Sequence, residues 1–149
     1  MPDYLETTVD KFTFRVATDR YYSGEGMWVQ AEGNRIRIGL SDFLQQRSGD
    51  VAFAEIKPVG TALAPGEEVA LIETIKVNVS LASPVSGKVV EVNPAAERSP
   101  EVINQDPYGA GWLAIIEATD WQAERRQLLD AQAYFDLMKG QAEEETKKR

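Results

Sequence analysis

The sequence predicts a mainly β protein, a small sandwich or barrel with short helices and one C-terminal α-helix. Residues 51–92 hold the strand-like runs "VAFAEI", "EEVALIET", "KVNVSLAS" and "GKVVEV", interrupted by Pro58, Gly60, Pro65-Gly66, Pro84 and Gly87. Short runs with such punctuation are the pattern of an all-β domain. Upstream, "GMWVQAEGNRIRIGLS" (residues 26–41) alternates apolar and polar residues about a turn, as a hairpin does. Only after Thr119 does the apolar spacing change to a helical period.

Residues 1–23 are polar with scattered aromatics, Tyr4, Phe12 and Phe14, and read as an irregular arm with one short strand near "FTFRV". In the first hairpin, Trp28 and Val29 precede a turn at Glu32-Gly33-Asn34, and Ile36 and Ile38 alternate with Arg35 and Arg37. Ser41 is a good N-cap for a short helix, "DFLQQR", which stops near Gly49. Residues 93–112 are loop-rich, with a helical turn at "NPAAER" and a Pro/Gly loop around Pro107, Gly109 and Gly111. In that loop the Tyr108 hydroxyl is placed to hold the backbone or to line a cleft. "WLAIIEA" is the last strand. One helix is expected from an N-cap at Thr119 to Gly140, with Trp121, Leu128, Ala131, Phe135 and Met138 on its packed face. Residues 141–149 form a charged tail, expected to fray. Trp28, Phe53 and Trp112 are expected in the core.

The chain has 149 residues, enough for one domain, and a net charge of −8. Nucleic-acid binding needs a basic footprint, so it is excluded as a main role; the charge suits solubility or docking on basic partner surfaces. There is no cysteine and no histidine, which removes disulfides, Cys/His zinc sites and Cys-His or Ser-His nucleophile pairs. The N-terminus has neither a basic region nor an apolar run of a signal peptide, and no stretch approaches a membrane span. A cytoplasmic monomer without membrane or nucleic-acid partners is expected.

One stretch does not follow hairpin rules. "LIETIKVNVSLAS" (71–83) reads as two strands, yet Ile75-Lys76-Val77 stands where Asn-Gly or Asp-Gly would turn the chain. On the local sequence alone, Lys76 is most simply an edge-strand lysine that discourages aggregation. Schiff-base chemistry would need a desolvated amine, and a hairpin tip is the wrong place for one. A modification site needs a protruding amine on a stiff support, which β-branched Ile75, Val77 and Val79 supply.

Longer blocks separate these readings. "ETIKVNVSLASPVSGKVVEVN" resembles the lipoyl-lysine hairpin of the glycine-cleavage H-protein family, roughly E-S-V-K-A followed by S-P-V-S-G-x-V-x-E-V-N. "RIGLSDFLQQRSGDVAFAEIKPVG" and "EVINQDPYGAGWL" are similar to two further family blocks, and the resemblance covers roughly residues 24–118. It implies a hammerhead lipoyl domain, a flattened sandwich of two antiparallel sheets, at 24–118. The arm would then be 1–23, the packed helix 119–140 and the tail 141–149. It also implies a non-enzymatic carrier with lipoic acid in amide linkage on Lys76, and Glu73 beside it as a ligase recognition residue. Biotin carriers set their lysine between methionines, unlike Ile75 and Val77.

The implied partners are a lipoate ligase or lipoyl transferase, dihydrolipoamide dehydrogenase, and the enzymes between which the arm travels. Here the sequence departs from the family. Gly26-Met27-Trp28 replaces His-Glu-Trp, Val77 replaces an alanine, Asn78-Val79-Ser80 replaces a run ending Ser-Asp, and Ala110 stands where glutamate is common. These changes lean the reading toward the H-like lipoate-binding proteins of sulfur oxidation, which work with a heterodisulfide-reductase-like complex. The alternative is the glycine cleavage H protein, whose arm carries an aminomethyl group between the glycine cleavage enzymes. A reading of another class is an unmodified H-like scaffold or regulatory domain.

Overall fold

The computed structural model describes residues 3–147. The chain runs β1 (Tyr4–Val9), β2 (Phe12–Ala17), β3 (Tyr21–Tyr22), β4 (Met27–Glu32), β5 (Arg35–Leu40) and α1 (Asp42–Ser48). It continues with β6 (Val51–Ile56), β7 (Ala62–Leu63), β8 (Glu68–Thr74), β9 (Asn78–Ala82) and β10 (Gly87–Val92). Then follow α2 (Pro94–Arg98), α3 (Glu101–Gln105), β11 (Ala114–Ala118), α4 (Trp121–Glu124), a 3₁₀ turn (Arg125–Gln127) and α5 (Ala131–Lys147).

The described residues form antiparallel sheets in the orders β3-β4-β5-β11-β10-β7, β6-β8-β9 and β1-β2. The first two sheets enclose the main core. Ile36 and Ile38 of β5, Val89 of β10 and Ile116 of β11 belong to it, with Val69 and Ile72 of β8 and Leu81 of β9. Period-two alternation puts these residues on one face of each strand, and burying that face is what holds the sheets together. The mainly β class is therefore observed, with the C-terminal helix in place.

The N-terminal segment corrects the expectation of an irregular arm. Residues 4–17 pair as a regular hairpin closed by Asp10-Lys11, with Val9 opposite Phe12 and Tyr4 opposite Ala17. Asp10 takes φ 58°, a left-handed conformation that aspartate tolerates without glycine. With no glycine in the turn, the sequence carries no strong hairpin signal.

This hairpin builds a second core with α1 and α5. Phe14, Val16, Tyr22, Trp28, Phe43, Ala131, Tyr134, Met138 and Ala142 form it. The Tyr22 and Tyr134 rings stack at 4.5 Å between centroids. The Tyr22 hydroxyl donates to Ala17 O at 2.7 Å, and Trp28 Nε1 donates to Pro107 O at 2.8 Å.

The C-terminal helix is also corrected. Expected as one helix from a Thr119 cap, it breaks at Leu128–Asp130. There Leu129 exchanges two backbone hydrogen bonds of 2.8 Å with Tyr22 at the edge of the large sheet. Two sheet bonds and a place for Leu128 against the main core outweigh one more helical turn. Asp130 then caps α5, its Oδ1 accepting from Ala133 N at 2.8 Å. Gly140 does not end α5. The helix runs on to Lys147 because Ala142 is buried and Glu145 pairs with Arg47 at 2.8 Å. The tail expected at 141–149 is therefore helical to Lys147; residues 148 and 149 lie outside the described residues.

Of the expected core aromatics, Trp28 is fully buried, Trp112 is half-buried and Phe53 is exposed. The Arg37 guanidinium lies 5.0 Å from the Trp112 ring centroid. A register shift between Val51 and Phe53 inserts a bulge in β6, which turns Phe53 outward.

Candidate functional site

The β8–β9 hairpin carries Lys76 at its tip, and Thr74 makes the turn. Thr74 Oγ1 accepts from Lys76 N at 3.2 Å and from Val77 N at 3.0 Å, and donates to Val77 O at 3.0 Å. Thr74 N also donates to Val77 O, at 2.9 Å. One hydroxyl thus satisfies the backbone groups that a glycine-containing turn would pair with each other. No residue of the turn then needs a positive φ, and β-branched Ile75 and Val77 are tolerated there.

Ile75 is 81% exposed, Val77 50% exposed, and Lys76 is exposed between them. Ile72 below the turn is buried in the main core, so a mobile side chain stands on a fixed base. Glu73 is exposed on β8, in register with Asn78 on one side and Phe53 on the other. Its carboxylate therefore stands on the same hairpin as the amine, close to the turn.

The lysine stem passes Gly49, the residue that ends α1. A Cβ on Gly49 would lie 3.4 Å from Lys76 Cε, and its φ of +91° is one that side chains rarely adopt. Asn104 fixes this corner. Its Nδ2 donates to Gly49 O and to Gln45 Oε1, both at 3.0 Å, and its Oδ1 accepts from Val51 N at 2.9 Å. Neither Gly49 nor Asn104 stands out beside Lys76 in the sequence, because 27 and 28 positions separate them from it (76 − 49 and 104 − 76). Thr74 was legible as part of the motif, but its bonding depends on the turn conformation.

Tyr108 holds backbone. Its hydroxyl donates to Arg15 O at 2.7 Å and accepts from Asp42 N at 3.2 Å, joining the N-terminal hairpin to α1. Burial raises its pKa above the ordinary phenol range, and does the same for Tyr22. Burial pushes Tyr134 up to about 12, although the hydrogen bond to Ser41 works in the other direction. These phenols stay protonated at neutral pH and serve as donors and packing groups. No cluster of acidic residues suited to a metal ion occurs among the described residues. Chemically, the arrangement displays a primary amine on a rigid support.

Known proteins match this chain in sequence and in fold. The family model described as glycine cleavage H-protein matches residues 20–141. The glycine cleavage system H protein of Thermus thermophilus is 37% identical over 127 residues, 85% of this chain and 98% of that protein. The H protein of Symbiobacterium thermophilum is 46% identical over 119 residues, 80% of this chain and 92% of that protein. The crystal structure of a glycine cleavage system H protein from Mycobacterium marinum superposes with a TM-score of 0.75 at 31% identity, covering 81% of this chain and 97% of that one. With most of the chain matched in sequence and in fold, this protein belongs to the glycine cleavage H-protein family, carriers that hold lipoic acid covalently on a lysine and have no active site of their own.

Proposed function

We propose that this chain is the lipoyl carrier of a glycine cleavage system and that Nζ of Lys76 is the attachment point. The observation that carries the reading is the Thr74-held turn, which leaves Lys76 exposed at the tip of a hairpin rooted in the core. A lipoyl group supplies a two-electron dithiol/disulfide couple on a flexible arm. The chain's own residues present it: Thr74 sets the backbone, Gly49 leaves room for the stem, and Glu73 offers a carboxylate to the attaching enzyme. Tethering makes each transfer a local encounter and not a search through solution.

The partners in this reading are a lipoate ligase or lipoyl transferase, the glycine cleavage enzymes and dihydrolipoamide dehydrogenase. The relatives bear the glycine cleavage name, which supports that pathway over the sulfur-oxidation pathway suggested by the altered flanks of Lys76. The test is intact mass and peptide mapping after co-expression with a lipoate ligase. One lipoyl increment on Lys76, absent from a folded Lys76→Arg variant, is expected. An increment retained in that variant would move the attachment elsewhere, and no increment would favour an unmodified scaffold.

A further inference from the structure

The N-terminal hairpin has one covered edge and one bare edge. Its two-residue turn makes Val9 and Phe12 a hydrogen-bonded pair, so the antiparallel alternation also bonds Thr7 to Phe14 and Leu5 to Val16. The residues between them turn their backbone groups away from the hairpin. On β2 four such groups are taken. Thr13 O accepts from Gln46 Nε2 at 2.9 Å, and Arg15 N donates to Asp42 Oδ2 at 3.0 Å. Arg15 O and Ala17 O accept from the hydroxyls of Tyr108 and Tyr22, both at 2.7 Å. On β1 the N–H and C=O of Tyr4, Glu6 and Thr8 point the other way, and meet no hydrogen-bond partner among the described residues.

This edge lacks the usual protection. Three other edges have it: β7 is two residues long, β6 is bulged, and Leu129 bonds the backbone of β3. β1 contains neither proline nor lysine, and its register is unbroken from Tyr4 to Val9. β-branched Thr7, Thr8 and Val9 favour extended pairing. The strand is also firmly mounted, because Val16 is fully buried, Phe14 nearly so, and α5 packs on both strands. Little conformational freedom is left to lose on association.

We infer that β1 is a self-association edge, at which two copies of this chain pair antiparallel across a two-fold axis at Thr7. The strand's own sequence selects this occupant. With the axis at Thr7, Glu6 of each copy lies opposite Thr8 of the other, and the bare groups of these residues close the ladder. Leu5 lies opposite Val9, and Thr7 opposite Thr7. Glu6 and Thr8 are exposed, whereas Leu5, Thr7 and Val9 are half-buried, so each face is continued by residues of its own kind. No like charges meet, and each Glu6 is already paired with Arg15 at 3.1 Å. An axis at Glu6 would instead set two carboxylates opposite each other. The product is a four-stranded sheet shared by two molecules through an isologous contact. β8 and β9 take no part, so both Lys76 hairpins stay exposed. On the carrier reading, one particle then offers two arms to a partner. The net charge of −8 on each chain opposes association, and the monomer expected from composition is the dilute form.

The test weighs the full chain by sedimentation equilibrium over a hundredfold range of concentration. Salt of about 0.15 M screens the repulsion beyond about 8 Å. A monomer–dimer equilibrium is expected. Thr8→Glu sets carboxylates in opposition at two places and should weaken the dimer about tenfold. Thr8→Lys faces Glu6 of the second copy and should associate at least as tightly as wild type. Thr8 is exposed, and a melting temperature near wild type shows that each variant folds. The chain has no cysteine, so Thr7→Cys reports the axis directly. Oxidation should join two chains of that variant by a disulfide, and adding Thr8→Glu should suppress the link. A monomer at every concentration would overturn the inference and leave the edge to a strand of a different protein. A dimer that Thr8→Glu leaves intact would lie on another surface and overturn it too. So would a dimer that Thr8→Lys weakens as much as Thr8→Glu, or a disulfide that forms equally in the double variant.

Discussion

The hydroxyl of Thr74 holds the backbone of Lys76, accepting its amide hydrogen at 3.2 Å while also accepting from Val77 and donating to the Val77 carbonyl. A side chain thereby replaces the glycine or asparagine of an ordinary two-residue turn, and the lysine is presented between two stiff residues. Thr74→Val keeps the shape and removes the hydroxyl. It is expected to lower stability by about 1 kcal/mol and to slow lipoylation of Lys76, with Thr74→Ser close to wild type. Urea denaturation and a lipoylation time course check both; an unchanged time course in the valine variant would show that the turn needs no clamp.

Glu73 stands next to that turn with its carboxylate exposed. Glu73→Ala is expected to slow attachment by the ligase severalfold and to leave the melting temperature within about 1 °C, as for an exposed site. Identical rates for the two proteins would remove Glu73 from recognition.

Tyr134 is a buried phenol whose pKa is pushed up to about 12, against about 10 in an unfolded chain. The folded state therefore keeps its proton where the unfolded state loses it. Stability from this group is complete below pH 10 and is lost as pH rises from 10 through 12, at about 1.4 kcal/mol per pH unit. Tyr22 and Tyr108, raised by burial as well, add to the slope. Melting curves between pH 9 and 12 should show a steep fall that Tyr134→Phe makes shallower. Equal slopes would mean that Tyr134 ionises normally in the fold.

The end of α5 is predicted to be structural. Ala142 is buried at 4% exposure, and Glu145 bonds Arg47 of α1. Truncation after Gly140 removes both contacts and the last turns of a helix that supports β1 and β2. A fall of several degrees in melting temperature is expected, because buried contacts and helix length are lost together. Glu145→Gln alone should cost under about 1 kcal/mol, the usual worth of a half-exposed pair. A truncated chain that melts like the full one would make these residues dispensable.

The sequence by itself determined the sandwich and the lysine. Alternation in Ile36–Ile38 and in β8 and β10, the Ser41 cap and the Pro/Gly punctuation are local signals, read by residues within a few positions of one another. The blocks around Lys76 and Tyr108 were legible for the same reason, as contiguous motifs. Tertiary structure alone decided the rest. The Asp10-Lys11 turn has no glycine, yet packing of Phe14 and Val16 against α1 and α5 closes it into a hairpin. Leu128–Asp130 has helical spacing, yet the Tyr22 edge captures Leu129 and breaks the helix. Gly140 reads as a stop, yet Ala142 and Glu145 find partners beyond it. The meeting of Lys76 with Gly49, and of Gly49 with Asn104, joins segments far apart in the chain, and long-range burial and hydrogen bonding overrode local preference at each point.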